Sequence, residues 1–176
     1  MLMSAAKSTL VLVDFQERLI PAIDDAESVV ERALTLAELA QLMEVPIIGT
    51  AQSPDKLGAT IDRIHQHCQQ TLHKNTFDAC ESGLLNALED RRTHVVIGGC
   101  EAHICVLQTA MGLLDAGFRV WVVADAVGSR LPANRELALQ RLHQQGADIV
   151  STEMVAFEWL GRADHPQFRN ALAQIK

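Results

Sequence analysis

The sequence predicts a three-layer α/β/α fold around a mostly parallel six-stranded sheet, and three observations carry that expectation. First, the stretches from Thr9, Thr93 and Arg119 are apolar without alternation, as strands buried on both faces of a parallel sheet must be. Second, segments of helical periodicity lie between the strands, so the connections are crossovers and not hairpins. Third, no repeat, low-complexity tract or linker interrupts the 176 residues, and residues 1–176 read as one domain.

The elements follow in order. Thr9 to Asp14 (TLVLVD) is the first strand, with Asp14 at its carboxyl end. Phe15 to Asp25 is a loop containing Pro21, and Asp24 with Glu27 three residues on has the spacing of a helix N-cap. Val29, Ala33, Leu36, Ala37, Ala40 and Met43 recur at helical spacing, and Val45-Pro46 stops that helix. Pro46 to Ala51 is a second strand, Gln52 to Thr60 a turn-rich loop, and Ile61 to Cys68 a short helix. Leu72 to Asn75 reads as a short third strand or a loop, and Cys80 to Glu89 as a helix weakened by Gly83. From Thr93 an apolar run breaks at Gly98-Gly99 and turns into a helix reaching about Ala116, with Gly117 as its stop. Arg119 to Ala124 is a strand ending at Asp125, and Ala126 to Leu131 is a loop. Pro132 opens a helix that Gly146 ends, Asp148 to Ser151 is the last strand, and Phe157 to Leu160 and Phe168 to Ile175 are helical.

Composition narrows the function classes. Hydrophobic residues make up 48% and charged residues 21%, which supports a core without disulfides or metal. The net charge of −7, with no Lys/Arg cluster, excludes nucleic acid as the main partner. No apolar run nears the ~20 residues of a membrane span, and Met1 to Ser8 reads as neither signal nor anchor. A membrane partner is therefore not expected, and the cytoplasm is the expected location. The four cysteines show no CxxC pair and read as reduced thiols.

Ligands of open parallel sheets bind beyond the carboxyl ends of the strands, where the strand order reverses. With strand order 3-2-1-4-5-6, Asp14 and Cys105 approach one crevice, and Lys74 reaches the same rim. Asp125 competes with Asp14 for the acidic role, and spacing alone does not choose between them. A thiol in a first helical turn feels the positive end of the helix dipole and unpaired N–H groups, which favour the thiolate and can receive an oxyanion. The competing reading of Cys105 is a small buried hydrophobe, as most free cysteines are. Neither GxGxxG nor GxxxxGK[ST] is present, so Gly98-Gly99 reads as a tight turn and no cofactor is expected. His65 and His67 do not share a helix face, His94 lies at a strand start away from the crevice, and only His73 and His103 come near it, so no metal site is expected.

Val13 to Gln16 (VDFQ), Lys74 to Phe77 and Gly98 to Ala110 (GGCEAHICVLQTA) together resemble the isochorismatase-like cysteine hydrolases, a superfamily that includes nicotinamidases and N-carbamoylsarcosine amidase. The likeness covers nearly the whole chain. Thr50 to Thr60, Ser129-Arg130 and Phe157 to Phe168 are most similar to small isochorismatase-domain proteins whose substrates are often unassigned. The resemblance implies a Rossmann-like hydrolase fold and a catalytic Asp14, Lys74 and Cys105, settling Asp14 over Asp125. It also implies a non-proline cis peptide between Cys100 and Glu101, and an oxyanion hole from the N–H groups of Glu101 and Cys105. Phe15, Gln16 and His103 are expected at the substrate pocket. Ala102 stands where much of the family has Thr. Thr50 to Pro54 lacks the Asp-x-His metal pair of nicotinamidases, and Cys105 departs from true isochorismatases, which commonly lack that cysteine.

The resulting expectation is a metal-free, cysteine-dependent hydrolase of a C–N bond in a small amide, carbamoyl or ureido compound, working as a homo-oligomer. The alternatives are a redox-sensing thiol protein, with Cys100 as the resolving partner of Cys105, and a non-catalytic binding or scaffold protein. Phe157, Trp159 and Phe168 belong either to the core or to a subunit contact.

Overall fold

The computed structural model describes residues 1–175. Strands β1 (Ser8–Val13), β2 (Ile47–Gln52), β3 (Gln70–Lys74), β4 (His94–Cys100), β5 (Arg119–Gly128) and β6 (Asp148–Val150) form one sheet in the order β3-β2-β1-β4-β5-β6. Every pairing is parallel. The order reverses between β1 and β4, the two central strands, whose residues are buried throughout. That burial is the physical reason their sequences show no alternation.

The helices are α1 (Ala26–Leu42), α2 (Pro54–Leu57), α3 (Asp62–His65), α4 (Leu84–Ala87), α5 (Leu107–Asp115), α6 (Pro132–Gln144), α7 (Thr152–Leu160) and α8 (Phe168–Ile175). Two apolar layers flank the sheet. One joins Leu10, Leu12 and Trp121 to Leu36 of α1, Trp159 of α7 and Ala171 of α8. The other joins Val11, Val13 and Ile97 to Ala110 and Leu113 of α5 and Leu142 of α6. Trp159 is 4% exposed and its Nε1 donates to Ser8 Oγ at 3.1 Å, so it is a core residue; Phe157 is exposed and packs edge-on against Phe168.

Several local expectations are corrected. Asp24 does not cap α1; its N–H donates to Ser129 O at 3.1 Å, and Asp25 precedes the helix in the left-handed region without a side-chain cap bond. The expected Cys80–Glu89 helix is split into a 3-10 turn (Cys80–Ser82) and α4, because Gly83 sits at φ +97° between them. The expected loop at Gln52 begins one residue later, and a single helical turn, α2, lies inside it. Strand β5 does not end at Asp125 but continues to Gly128 across a register shift against Ile97 and Gly99. Asp125 Oδ1 accepts from the Thr152 N–H at 2.9 Å and from Thr152 Oγ1 at 3.0 Å, a structural role at the start of α7. Helix α7 also begins earlier than Phe157, where Ser151 Oγ accepts from the Met154 N–H at 3.2 Å.

Candidate active site

At the carboxyl end of β1 the chain turns sharply. Asp14 adopts φ +54°, a left-handed conformation that Asp and Asn tolerate better than most side chains. Its carboxylate is fully buried and held on both oxygens. Thr50 Oγ1 donates to Oδ1 at 2.6 Å, and Lys74 Nζ donates to Oδ2 at 2.8 Å. Lys74 ends β3, two strands away, and both side chains of this ion pair are 0% exposed. Strand β2 lies between them. Its Gln52 Oε1 accepts from Lys74 Nζ at 2.8 Å, while Gln52 Nε2 donates to Asn75 O at 3.0 Å, which fixes the amide orientation.

Strand β4 approaches β1 closely at Gly99, where φ is +139° and an added Cβ would lie 2.2 Å from Val13 O. The Cys100–Glu101 peptide that follows is cis. The expected helix start is instead a π-helical turn, Ala102–Val106, leading into α5. It carries Cys105, whose Sγ lies 3.9 Å from Gln52 Oε1. Glu101 is buried, and its carboxylate accepts from the Arg130 N–H at 2.9 Å and from Arg130 Nε at 3.1 Å.

A cavity of about 100 Å³ opens here, lined by the polar or charged Asp14, Gln52, Glu101 and Cys105 and by the apolar Leu19, Leu57, Phe77 and Ile104. Lys74 meets the cavity through Asp14 and Gln52. The loop carrying Phe77 is tied to α5, since Thr109 Oγ1 accepts from the Ala79 N–H at 3.0 Å and donates to Phe77 O at 3.4 Å.

The Cys105 thiol is not in the state its place near a helix start led us to expect. Burial, and next the Asp14 carboxylate, push its pKa up to about 12, against the opposing pull of the Lys74 ammonium. Desolvation outweighs the helix end, so the resting group is a neutral thiol beside a carboxylate that can take its proton.

Three expected pocket residues lie elsewhere. Phe15 is fully buried in the core against α1, and Gln16 is a clamp whose Oε1 accepts from the Gln52 N–H at 2.8 Å and whose Nε2 donates to Gln52 O and Gly58 O. His103 faces away, with Nδ1 at 2.9 Å from Ser129 Oγ, and borders a separate surface depression with Asp78 and Arg141. Thr50 and Gln52 are the site residues that sequence reasoning missed. Their i, i+2 spacing on a strand, which puts both on one face between Asp14 and Lys74, was the available signal. Among the described residues no cluster of three His, Cys, Asp or Glu side chains could hold a metal ion, and no helix is long and apolar enough to cross a membrane.

The sheet order and the crevice at the β1/β4 reversal define a three-layer α/β/α protein with a mostly parallel six-stranded sheet. The chain belongs to the isochorismatase domain family, whose model matches residues 8–154. It is 33% identical to the secreted isochorismatase effector Isc1 of Phytophthora sojae, over 96% of this chain and 84% of that one. It is 35% identical to human isochorismatase domain-containing protein 2, over 96% of this chain and 83% of that one. The solved structure of MAR1 ribonuclease from Caenorhabditis elegans superposes with a TM-score of 0.94 at 30% identity, covering 99% of this chain and 92% of that one.

Proposed function

We propose that this protein is a metal-free, cysteine-dependent hydrolase of a C–N bond in a small amide, carbamoyl or ureido compound. The observation that supports this most is the shared cavity. A neutral Cys105 thiol and the Asp14 carboxylate line one small hollow, and a buried Lys74 is paired to that carboxylate. Asp14 takes the thiol proton, and the thiolate attacks the carbonyl carbon of the amide. The tetrahedral oxyanion is received by the N–H groups of Glu101 and Cys105; loss of one such donor typically costs about 10²–10³ in rate. Protonated Asp14 returns the proton to the leaving nitrogen, the C–N bond breaks, and a thioester remains. Asp14 then deprotonates water, which cleaves the thioester to the acid and restores the Cys105 thiol. Lys74 orients Asp14 and stabilises the thiolate as it forms.

The redox reading is less well supported. Cys100 packs with the layer against α1, α7 and α8 and Cys105 with the layer against α5 and α6, and both are free thiols. A nucleotide-sized substrate fits poorly with a net charge of −7 and a cavity of about 100 Å³. The deciding experiment is ammonia release from a panel of small amides and ureido compounds by the wild type and by Cys105→Ala. Activity lost in the variant supports the proposal, and activity retained overturns the nucleophile.

A further inference from the structure

Resting on that reading, we infer that the substrate is an uncharged primary amide with a short aliphatic body. The charges around the cavity are already matched in pairs. Lys74 is spent on Asp14, with both groups fully buried. Arg130 is spent on Glu101 through its main-chain N–H and its Nε, and it does not line the cavity. Arg18 and Lys56 neighbour Leu19 and Leu57 in sequence, but both are exposed and neither lines the cavity. Among the described residues no cation is left over for an anionic substituent, and the carboxylates of Asp14 and Glu101 are likewise already neutralised by Lys74 and Arg130. A cationic substituent would have to leave water for walls made of Leu19, Leu57, Phe77 and Ile104, which offer it no acceptor.

Size and wall chemistry complete the inference. The cavity is small, about 100 Å³ against the roughly 150 Å³ of an engineered apolar cavity that holds benzene, so it suits a compact carboxamide with a few carbons attached. An alkyl group on the nitrogen would compete for that space. The polar end of the cavity, at Asp14, Gln52 and Cys105, takes the carboxamide, and the apolar rim takes the carbons attached to it. Phe77 lines the cavity yet is 50% exposed, so it gains burial when an aliphatic chain packs against it.

The test compares ammonia or amine release from butyramide, N-methylbutyramide, anionic succinamate and cationic gamma-aminobutyramide. In parallel, labelling of the Cys105 peptide by neutral iodoacetamide and anionic iodoacetate is followed by mass spectrometry, each rate normalised to a free thiol. Butyramide is expected to be cleaved at least tenfold faster than the other three, with a tenfold normalised preference for iodoacetamide. The variant Leu57→Lys, which adds an unpaired cation at the rim, should shift both preferences toward the anionic compound. N-methylbutyramide, succinamate or gamma-aminobutyramide cleaved as fast as butyramide, or equal labelling by the two reagents, overturns the inference. If no amide is cleaved but iodoacetamide is strongly preferred at Cys105, the hydrolase reading fails while the neutral, apolar character of the site stands.

Discussion

Lys74 reaches across strand β2 to place its Nζ 2.8 Å from Asp14 Oδ2, and neither side chain is exposed to solvent. The ion pair therefore bridges the carboxyl ends of β3 and β1, with Thr50 and Gln52 of the intervening strand and the Thr76 carbonyl making further polar contacts to it. A buried pair of this kind contributes little relative to an apolar replacement of both partners, whereas loss of one partner strands a charge.

Lys74→Met is therefore expected to lower unfolding stability by about 3–5 kcal/mol, and Asp14→Asn by a comparable amount. The double variant Asp14→Asn/Lys74→Met should recover much of that loss without recovering turnover. Urea denaturation of the four proteins forms a double-mutant cycle, and additive losses would contradict the coupling.

The thiol of Cys105 makes its own pH prediction. Its folded pKa is raised to about 12, whereas an exposed thiol titrates near 8.5. Between those values the folded state holds a proton that the unfolded chain has given up, so stability falls as pH rises through that window, by about 1.4 kcal/mol per pH unit for this group. Cys105→Ala should flatten the decline between pH 9 and 11 in urea titrations. Asp14→Asn removes a negative charge that raises the pKa, so the iodoacetamide labelling profile of Cys105 should move to lower pH. Lys74→Met should move it the other way.

Gly99 allows β4 to approach β1 where the site is built. An added methyl would lie 2.2 Å from Val13 O at a φ of +139°, which side-chain-bearing residues rarely adopt. Gly99→Ala is expected to destabilise the protein by about 3 kcal/mol or more, through backbone displacement and strain together. A thermal melt checks this, and Gly117→Ala serves as a comparison, since nothing lies within 4 Å of the added atom there and only its positive φ is penalised.

Much of the scaffold was legible because it rests on burial. The runs at Leu10 and Val95 are apolar on both faces, and such strands have few places to go but the centre of a covered parallel sheet. Strand ends placed Asp14, Asp125, Lys74 and Cys105 as candidates near one crevice, and it was the family resemblance that selected Asp14, Lys74 and Cys105 among them. The pocket walls were not. Whether Gln16 faces a cavity or clamps the backbone of Gln52 depends on the left-handed turn at Asp14, which no periodicity announces. The thiol's state was misjudged for a related reason. Position at a helix start is visible in sequence, but the burial that outweighs it arises only when segments distant in sequence, among them those carrying Leu19 and Leu57, close around the same cavity.

Gln52 shows how finely the charges are set. Its Oε1 serves Lys74 at 2.8 Å and lies 3.9 Å from Cys105 Sγ, while its Nε2 is held by Asn75 O. Gln52→Met removes one acceptor from a buried ammonium, an interaction that typically contributes about 1.5–3 kcal/mol, and should lower stability by that order. Gln52→Glu acts differently. It keeps the acceptor for Lys74 but adds a second negative charge beside the thiol, drawing the ammonium away from Asp14 and disfavouring the thiolate. That variant should unfold at a lower urea concentration than Gln52→Met, because it leaves one of two buried carboxylates unmatched and turns the Nε2 donor to Asn75 O into a repelling oxygen, and it should label more slowly at Cys105, with its labelling profile displaced to higher pH. A Gln52→Glu protein whose Cys105 labels at least as fast as wild type would show that the amide's neutrality is not what sets the state of the thiol.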